Sequence, residues 1–212
     1  MTPAPTRAWV AERFAARQTI PDACEMPEDT AAERGDHALN PSISPLEPLK
    51  PAAVLVPLMD RPEGLAVLLT QRTAHLAHHA GQISFPGGHI EPDDGGPLET
   101  ALRETEEEVG LDRRHVSVIG HLDTYVTRTG FVVMPVVGIV EPPFDVSPDL
   151  HEVAEVFEVP LAFFLDPANH HRHSAEFNGV VRHFHAMPYG RHYVWGATAD
   201  MLLNLYQVLS HE

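Results

Sequence analysis

With 212 residues and 43% apolar content, the chain has the length for one domain with a substantial core plus an extension. Its formal charge is −16 and Lys50 is its only lysine, which excludes general nucleic-acid binding, a function that needs clustered cations against phosphate. No apolar run approaches the roughly 18 residues of a membrane helix, the N-terminus does not read as a secretory leader, and Cys24 alone cannot form an internal disulfide, so a cytoplasmic, membrane-free setting is expected.

Residues 1–50 read as an N-terminal extension. Trp9, Val10 and Phe14 among alanines predict a short amphipathic helix over Arg7 to Arg17. The Pro-, Asp- and Ser-rich stretch from Pro21 to Lys50 predicts irregular extended chain. This extension can lie on its own domain or on a second copy in a homodimer, and the sequence leaves both open. The main domain, 51–212, opens with Ala52 to Leu58, a near-continuous apolar run of the buried-strand kind. Further strands are predicted at Leu65 to Thr70, Gln82 to Phe85, Val116 to Val126, Phe131 to Val140, Glu152 to Val159 and Val180 to Met187. Helices are predicted from Pro97 to Val109 and over Ala197 to Leu209. The mixture predicts an α+β sandwich.

The Pro97–Val109 segment carries the most chemistry. At about 100° per residue, Leu98, Ala101, Leu102, Thr105 and Val109 gather on one side and Glu104, Glu107 and Glu108 on the other. Carboxylates three and four residues apart on a helix are neighbours and repel, so a compensating cation makes the arrangement favourable. Hard divalent ions such as Mg²⁺ take oxygen ligands of this kind. The plain alternative is a solvated acidic face relieved by Arg103. Phe85-Pro86-Gly87-Gly88 upstream and Gly110 at the helix end distinguish this segment from a simple acidic helix.

Gly88, Asp94, Arg103-Glu104, Glu107-Glu108 and Gly110-Leu111 together resemble the signature of the Nudix hydrolases. Three positions depart from it: Asp94 replaces a Glu, eight residues rather than seven separate it from Arg103, and Thr105 replaces an apolar residue. Leu68-Leu69-Thr70-Gln71-Arg72, Gly81 and Phe85 to Gly88 are similar to the additional motif of the coenzyme A diphosphatase branch. That branch carries Asp and the longer linker at the departing positions. Thr73 and Ala77 differ from its motif, Ala77 standing where a second Arg is expected. Glu155 to Leu161 and Val194 to Ala199 also resemble segments of the branch.

The resemblance implies a Nudix α/β/α fold with a mixed sheet, Mg²⁺ or Mn²⁺ as cofactor, and a small-molecule nucleotide substrate, coenzyme A or a derivative. It implies Glu104, Glu107, Glu108 and the Gly88 carbonyl as metal ligands. Glu107 and Glu108 are the catalytic carboxylates, and Arg103 orients them through its rigid guanidinium. A general base comes from Glu152 or Glu155, with Asp94 a third candidate of shorter reach. Arg72, Gly81, Gln82 and Phe85 are the substrate-contact candidates, Phe85 being equally readable as core. Tyr125 and Arg128 flank a hairpin that can line the same pocket. His170, His171, His173, His183, His185 and His192 fit no zinc-ligand spacing. Trp195 reads as structural.

Overall fold

The computed structural model describes residues 5–16, 34–75, 80–177 and 179–210. Cys24, Ala77, His78 and His79 lie outside them. The segment Lys50–Met59 is apolar on both alternating faces, so it is stable only where both are covered. It is accordingly the centre of the sheet.

In chain order the strands are β1 (Arg34–Gly35), β2 (Lys50–Met59), β3 (Ala66–Arg72), β4 (Ile83–Ser84), β5 (Gly87–His89) and β6 (Val116–His121). They continue with β7 (Tyr125–Val126), β8 (Phe131–Val140), β9 (Val153–Pro160), β10 (His171–Phe177), β11 (Val180–Tyr189) and β12 (His192–Trp195). The helices are α1 (Arg7–Ala16), α2 (Asp36–Leu39), α3 (Pro97–Val109), α4 (Leu161–Phe164) and α5 (Ala197–Ser210). None of the described helices is long and apolar enough to cross a membrane.

β2 runs parallel to β8 over its whole length, Lys50 opposite Phe131 through Met59 opposite Val140. The remaining pairings give a mixed sheet in the order β1-β7-β8-β2-β3-β4, with β6 on β8 and β9 on β3. β2 and β3 pair only at Leu58–Val67 and Met59–Ala66 and then part. β5 enters the gap, setting Gly87 against Val54 and Gly88 against Ala53. This split in the sheet is the feature that creates the site.

Strand alternation divides the core into two layers. Ala53, Leu55 and Met59 face α3, where they meet Ala101, Val109, Leu111 and Met134. Val56, Leu58, Val67 and Leu69 face the other side and pack with Leu202, Leu205 and Leu209 of α5 and with Val10 and Phe14 of α1. The N-terminal helix thus packs on its own chain, and Arg13 Nε donates to the Leu209 carbonyl at 2.7 Å. A separate antiparallel sheet, β10-β11-β12, stands beside α5.

Several sequence expectations need correction. Residues 34–40 are not irregular: β1 joins β7, and α2 places Asp36 on the Tyr125 hydroxyl and the Arg128 amide. The strand expected over Val116 to Val126 breaks after His121, where Leu122 turns into the core and Asp123 binds Asn204. Glu152 precedes its strand, whose first residue is Val153. β10 and β12 escaped prediction because polar and histidine residues obscure their alternation. Helices α3 and α5 match the expected starts, and α3 the expected end.

Candidate active site

The acidic helix is fixed at both ends. Pro97 stands in its first turn, and Gly110 closes it in the left-handed region at φ 67°. A Cβ on Gly110 would sit 2.7 Å from the Ser147 carbonyl oxygen, so a larger residue there would displace the loop as well as strain the backbone. That loop caps the helix: Ser147 N–H donates to the Val109 carbonyl at 2.8 Å and Asp149 N–H to that of Glu108 at 3.0 Å. The same loop leads directly to Glu152.

Glu108 does not lie on the solvated side with Glu104 and Glu107. It stands seven residues after Ala101, and seven steps of about 100° return to within about 20° of the same direction. Its carboxylate is therefore carried into the buried face, where the residue is only 5% exposed. Gly87 N–H donates to it at 3.1 Å and Arg72 at 3.2 Å. Burial still outweighs these partners and pushes its pKa up to about 7. Glu104, half-buried, is also raised by burial, opposed by Arg103. Glu107 is exposed.

Arg103 ties the rest together. Its Nε and one terminal nitrogen clamp Asp94, each at 2.9 Å, while the other terminal nitrogen reaches Glu104 at 2.9 Å and Glu107 at 3.1 Å. Asp94 also accepts from Thr100 Oγ1 at 2.7 Å and from the Glu91 amide. Hydrogen bonding to Arg103 holds its pKa well below the usual carboxylate range. So engaged, Asp94 acts as an anchor and is a poor proton acceptor. The longer linker and the shorter carboxylate together close a loop onto Arg103. Gly88 leaves room for the same packing, since a Cβ there would push the Glu104 carboxylate out of its place against Arg103.

The two base candidates part company. Glu152 lies 3.7 Å from Arg72 and its charge acts on both Glu104 and Glu108. Glu155 pairs with Gln71, one strand position from the α3-facing residues, and therefore faces away from α3. It is bound to Arg191 at 2.5 Å and lies 3.4 Å from His192. The structure brings Glu152 to the acidic cluster and leaves Glu155 outside it.

A cavity of about 470 Å³ opens beside this cluster. Arg72 and Gly87, which hold Glu108, are also in its wall, together with Gln82, Phe85 and Arg128. Phe85 is both core and lining, being 2% exposed. Gly81 lies elsewhere, in a smaller recess with Gln71 and His192, where its carbonyl accepts from Gln71. Tyr125 is not in the cavity wall; its hydroxyl is buried between Asp36 and Asp200, at 2.8 and 3.1 Å. The far wall comes from the second sheet: Phe177, Arg182, Phe184 and Trp195. None of these four was a sequence candidate. Trp195 carried the one available signal, since its segment belongs to the branch resemblance.

Among the described residues no three His, Cys, Asp or Glu side chains converge as a ready-formed metal site; Arg103 and Arg72 hold the glutamates instead. The donor set nonetheless suits a hard cation. Glu104, Glu107, Glu108 and Glu152 place four carboxylates around two guanidiniums, and burial raises the pKa of two of the four, Glu104 and Glu108, against the pull of those guanidiniums.

The NUDIX domain family matches residues 49–178. The uncharacterized Nudix hydrolase NudL of Photorhabdus laumondii subsp. laumondii is 38% identical over 156 residues, 74% of this chain and 83% of that protein. Its counterpart in Yersinia pestis is 39% identical over 159 residues, 75% and 79% of the two. Among solved structures, a Nudix hydrolase from M. smegmatis, RenU, is 25% identical with TM-score 0.46, covering 53% of this chain and 71% of that one. The chain belongs to the Nudix hydrolase family and has its α+β fold.

Proposed function

We propose that this protein hydrolyses the diphosphate bond of coenzyme A or its thioesters, with Mg²⁺ or Mn²⁺, releasing 3′,5′-ADP and 4′-phosphopantetheine or its acyl form. The observation that carries the reading is a shared wall. Arg72, Gln82, Phe85 and Gly87, from the segment resembling the coenzyme A branch, line one cavity, and two of them also hold the buried carboxylate of Glu108. A substrate held by that wall has its diphosphate next to the acidic helix.

Glu104, Glu107, Glu108 and the Gly88 carbonyl would hold the divalent ion. When bound, it neutralises phosphoryl charge and polarises the bond to be broken. The chain's own residues do the rest. Arg103, anchored by Asp94, keeps Glu104 and Glu107 in place. Glu152 takes the proton of a water as its oxygen bonds to phosphorus and the phosphorus–bridging oxygen bond breaks. Arg72 moves from carboxylate to phosphate as the anion arrives, which is feasible for a guanidinium with several donors. Local cations are needed because a net charge of −16 opposes approach of an anionic substrate.

Purified protein is incubated with coenzyme A and Mg²⁺, or with EDTA, and the products are separated by mass. Metal-dependent release of 3′,5′-ADP and 4′-phosphopantetheine is expected. Equal turnover in EDTA, or products cut at another bond, would contradict the reading. Ala77, where the branch motif has Arg, favours a second reading: a Nudix hydrolase of ADP-ribose, NADH or a dNTP.

A further inference from the structure

Among the described residues, three buried side-chain polar atoms lack a hydrogen-bond partner: Arg72 Nε, Arg182 Nε and His192 Nε2. Both arginines line the same cavity but come from opposite walls, Arg72 from β3 and Arg182 from β11. A buried N–H without an acceptor is unfavourable, and native structures seldom keep one without a reason. Arg72 has Glu108 and Glu152 to balance its charge. Among the described residues, the partner seen for Arg182 is the ring of Phe177, 5.1 Å from its guanidinium carbon. Arg128 also lines the cavity, and the nearby Asp36 carboxylate is taken up by the Tyr125 hydroxyl and the Arg128 backbone N–H.

Beside these cations stand flat aromatic faces. Trp195 lies parallel to Phe177, within 3° at 6.4 Å between centroids, and edge-on to Phe184 at 5.2 Å. Guanidinium next to aromatic surface suits a planar base bearing a nearby phosphate. One end of the cavity, at Arg72 and Gly87, faces the carboxylates of the acidic helix; the other has the Arg182 and Arg128 side chains in its wall, and its one acid, Asp36, is already bonded to the Tyr125 hydroxyl and the Arg128 backbone N–H.

We infer that the β10–β12 sheet forms a second anion subsite, in which Arg182, aided by Arg128, binds a phosphomonoester on the nucleoside half of the substrate while Phe177, Phe184 and Trp195 border its base. The inference rests on the reading of this cavity as the substrate site of a diphosphate hydrolase. It adds the rule of selection: a nucleotide with a phosphate beyond its diphosphate is preferred to one without. The sheet acts at the far end from the cleaved bond, so Arg182 is a specificity residue.

The test measures kcat/KM with Mg²⁺ on two substrate pairs, coenzyme A against 3′-dephospho-coenzyme A and NADPH against NADH. Wild type should favour the phosphorylated member of whichever pair it cleaves by about tenfold or more, because a site built to bond a group rejects the analogue lacking it. In Arg182→Gln that preference should shrink to a few fold, while Arg182→Lys, which keeps the charge, should retain part of it. Binding of 3′,5′-ADP and of AMP to metal-free protein gives a second readout that needs no turnover, with the same loss of discrimination expected. Equal wild-type kcat/KM within the pair it cleaves, or a loss in Arg182→Gln as large on the unphosphorylated member, overturns the subsite. Failure to cleave coenzyme A with NADPH preferred to NADH would refute the coenzyme A reading and leave the subsite standing. If neither pair is cleaved, the ratio of 3′,5′-ADP to AMP affinity decides.

Discussion

The two ends of the cavity are built on opposite principles. At the α3 end the charged groups brace one another: Asp94 holds Arg103, Arg103 holds Glu104 and Glu107, and Gly87 and Arg72 hold Glu108, with Arg72 Nε alone left open where this end meets the cavity, among the described residues. At the β10–β12 end an arginine rests against a phenylalanine ring with a buried N–H unpaired. A site that must stabilise charge during a reaction benefits from groups already held in place. A site that selects a ligand can leave donors open for the ligand to complete. On the proposed function this contrast corresponds to reaction at one end and recognition at the other, with the β2–β3 split and the inserted β5 supplying Gly87 to the cavity wall between them.

The largest effect should come from the buried carboxylate. Glu108→Gln removes the charge from the centre of the brace, and since a metal supplies several kcal/mol of charge stabilisation, kcat should fall by about a thousandfold or more. Circular dichroism should show the fold retained and titration should show Mg²⁺ binding lost; unchanged turnover would mean that the acidic end is not the reaction centre. Next come the two base candidates. Glu152→Gln should cost about a hundredfold or more in kcat, the usual scale for general-base loss, and Glu155→Gln less than about tenfold. The reverse order would show that the strand face, and not proximity to Glu104 and Glu108, selects the base.

Asp94→Asn tests the bracing itself. Arg103 keeps its charge but loses a bidentate partner, and loss of such an outer contact typically costs about 10- to 100-fold in activity or metal affinity. An unaffected variant would make the Asp94 clamp decorative. The smallest effect concerns stability. Burial raises the Glu108 carboxyl from 4.5 to about 7, so the folded protein favours the protonated form. Metal-free stability from this group is therefore full at low pH and is lost as pH rises through 4.5 toward 7. At pH 8 added Mg²⁺ should raise Tm by several degrees, and at pH 5 by much less, because a ligand of the native state must be deprotonated to bind. A larger gain at pH 5 would contradict the burial argument.

The acidic end was readable in the sequence because its residues are close together and each obeys a local rule. Helical spacing grouped the glutamates, Pro97 and Gly110 marked the ends, and Gly87-Gly88 marked the close approach. The placement of Glu108 was misread even so: helical spacing grouped it with Glu104 and Glu107, but it stands at the edge of that arc, within about 20° of Ala101, and the structure buries it. The separation of Glu152 from Glu155 depends on where β9 begins and on its register with β3, both long-range properties. The recognition end was nearly invisible. Arg182, Phe184 and Trp195 are ordinary residues whose convergence requires β10, β11 and β12 to pair, and histidines on those strands mask the alternation that would have announced them. Trp195 read as structural, and it does pack against aromatic neighbours, yet one side of it borders the cavity.

The most direct test of the central claim is a single comparison of kcat/KM with Mg²⁺ across coenzyme A, NADH, ADP-ribose and dNTPs. The account predicts coenzyme A as the best substrate. A preference of about tenfold for any of the other three, equivalent to 1.4 kcal/mol of transition-state stabilisation, would contradict it.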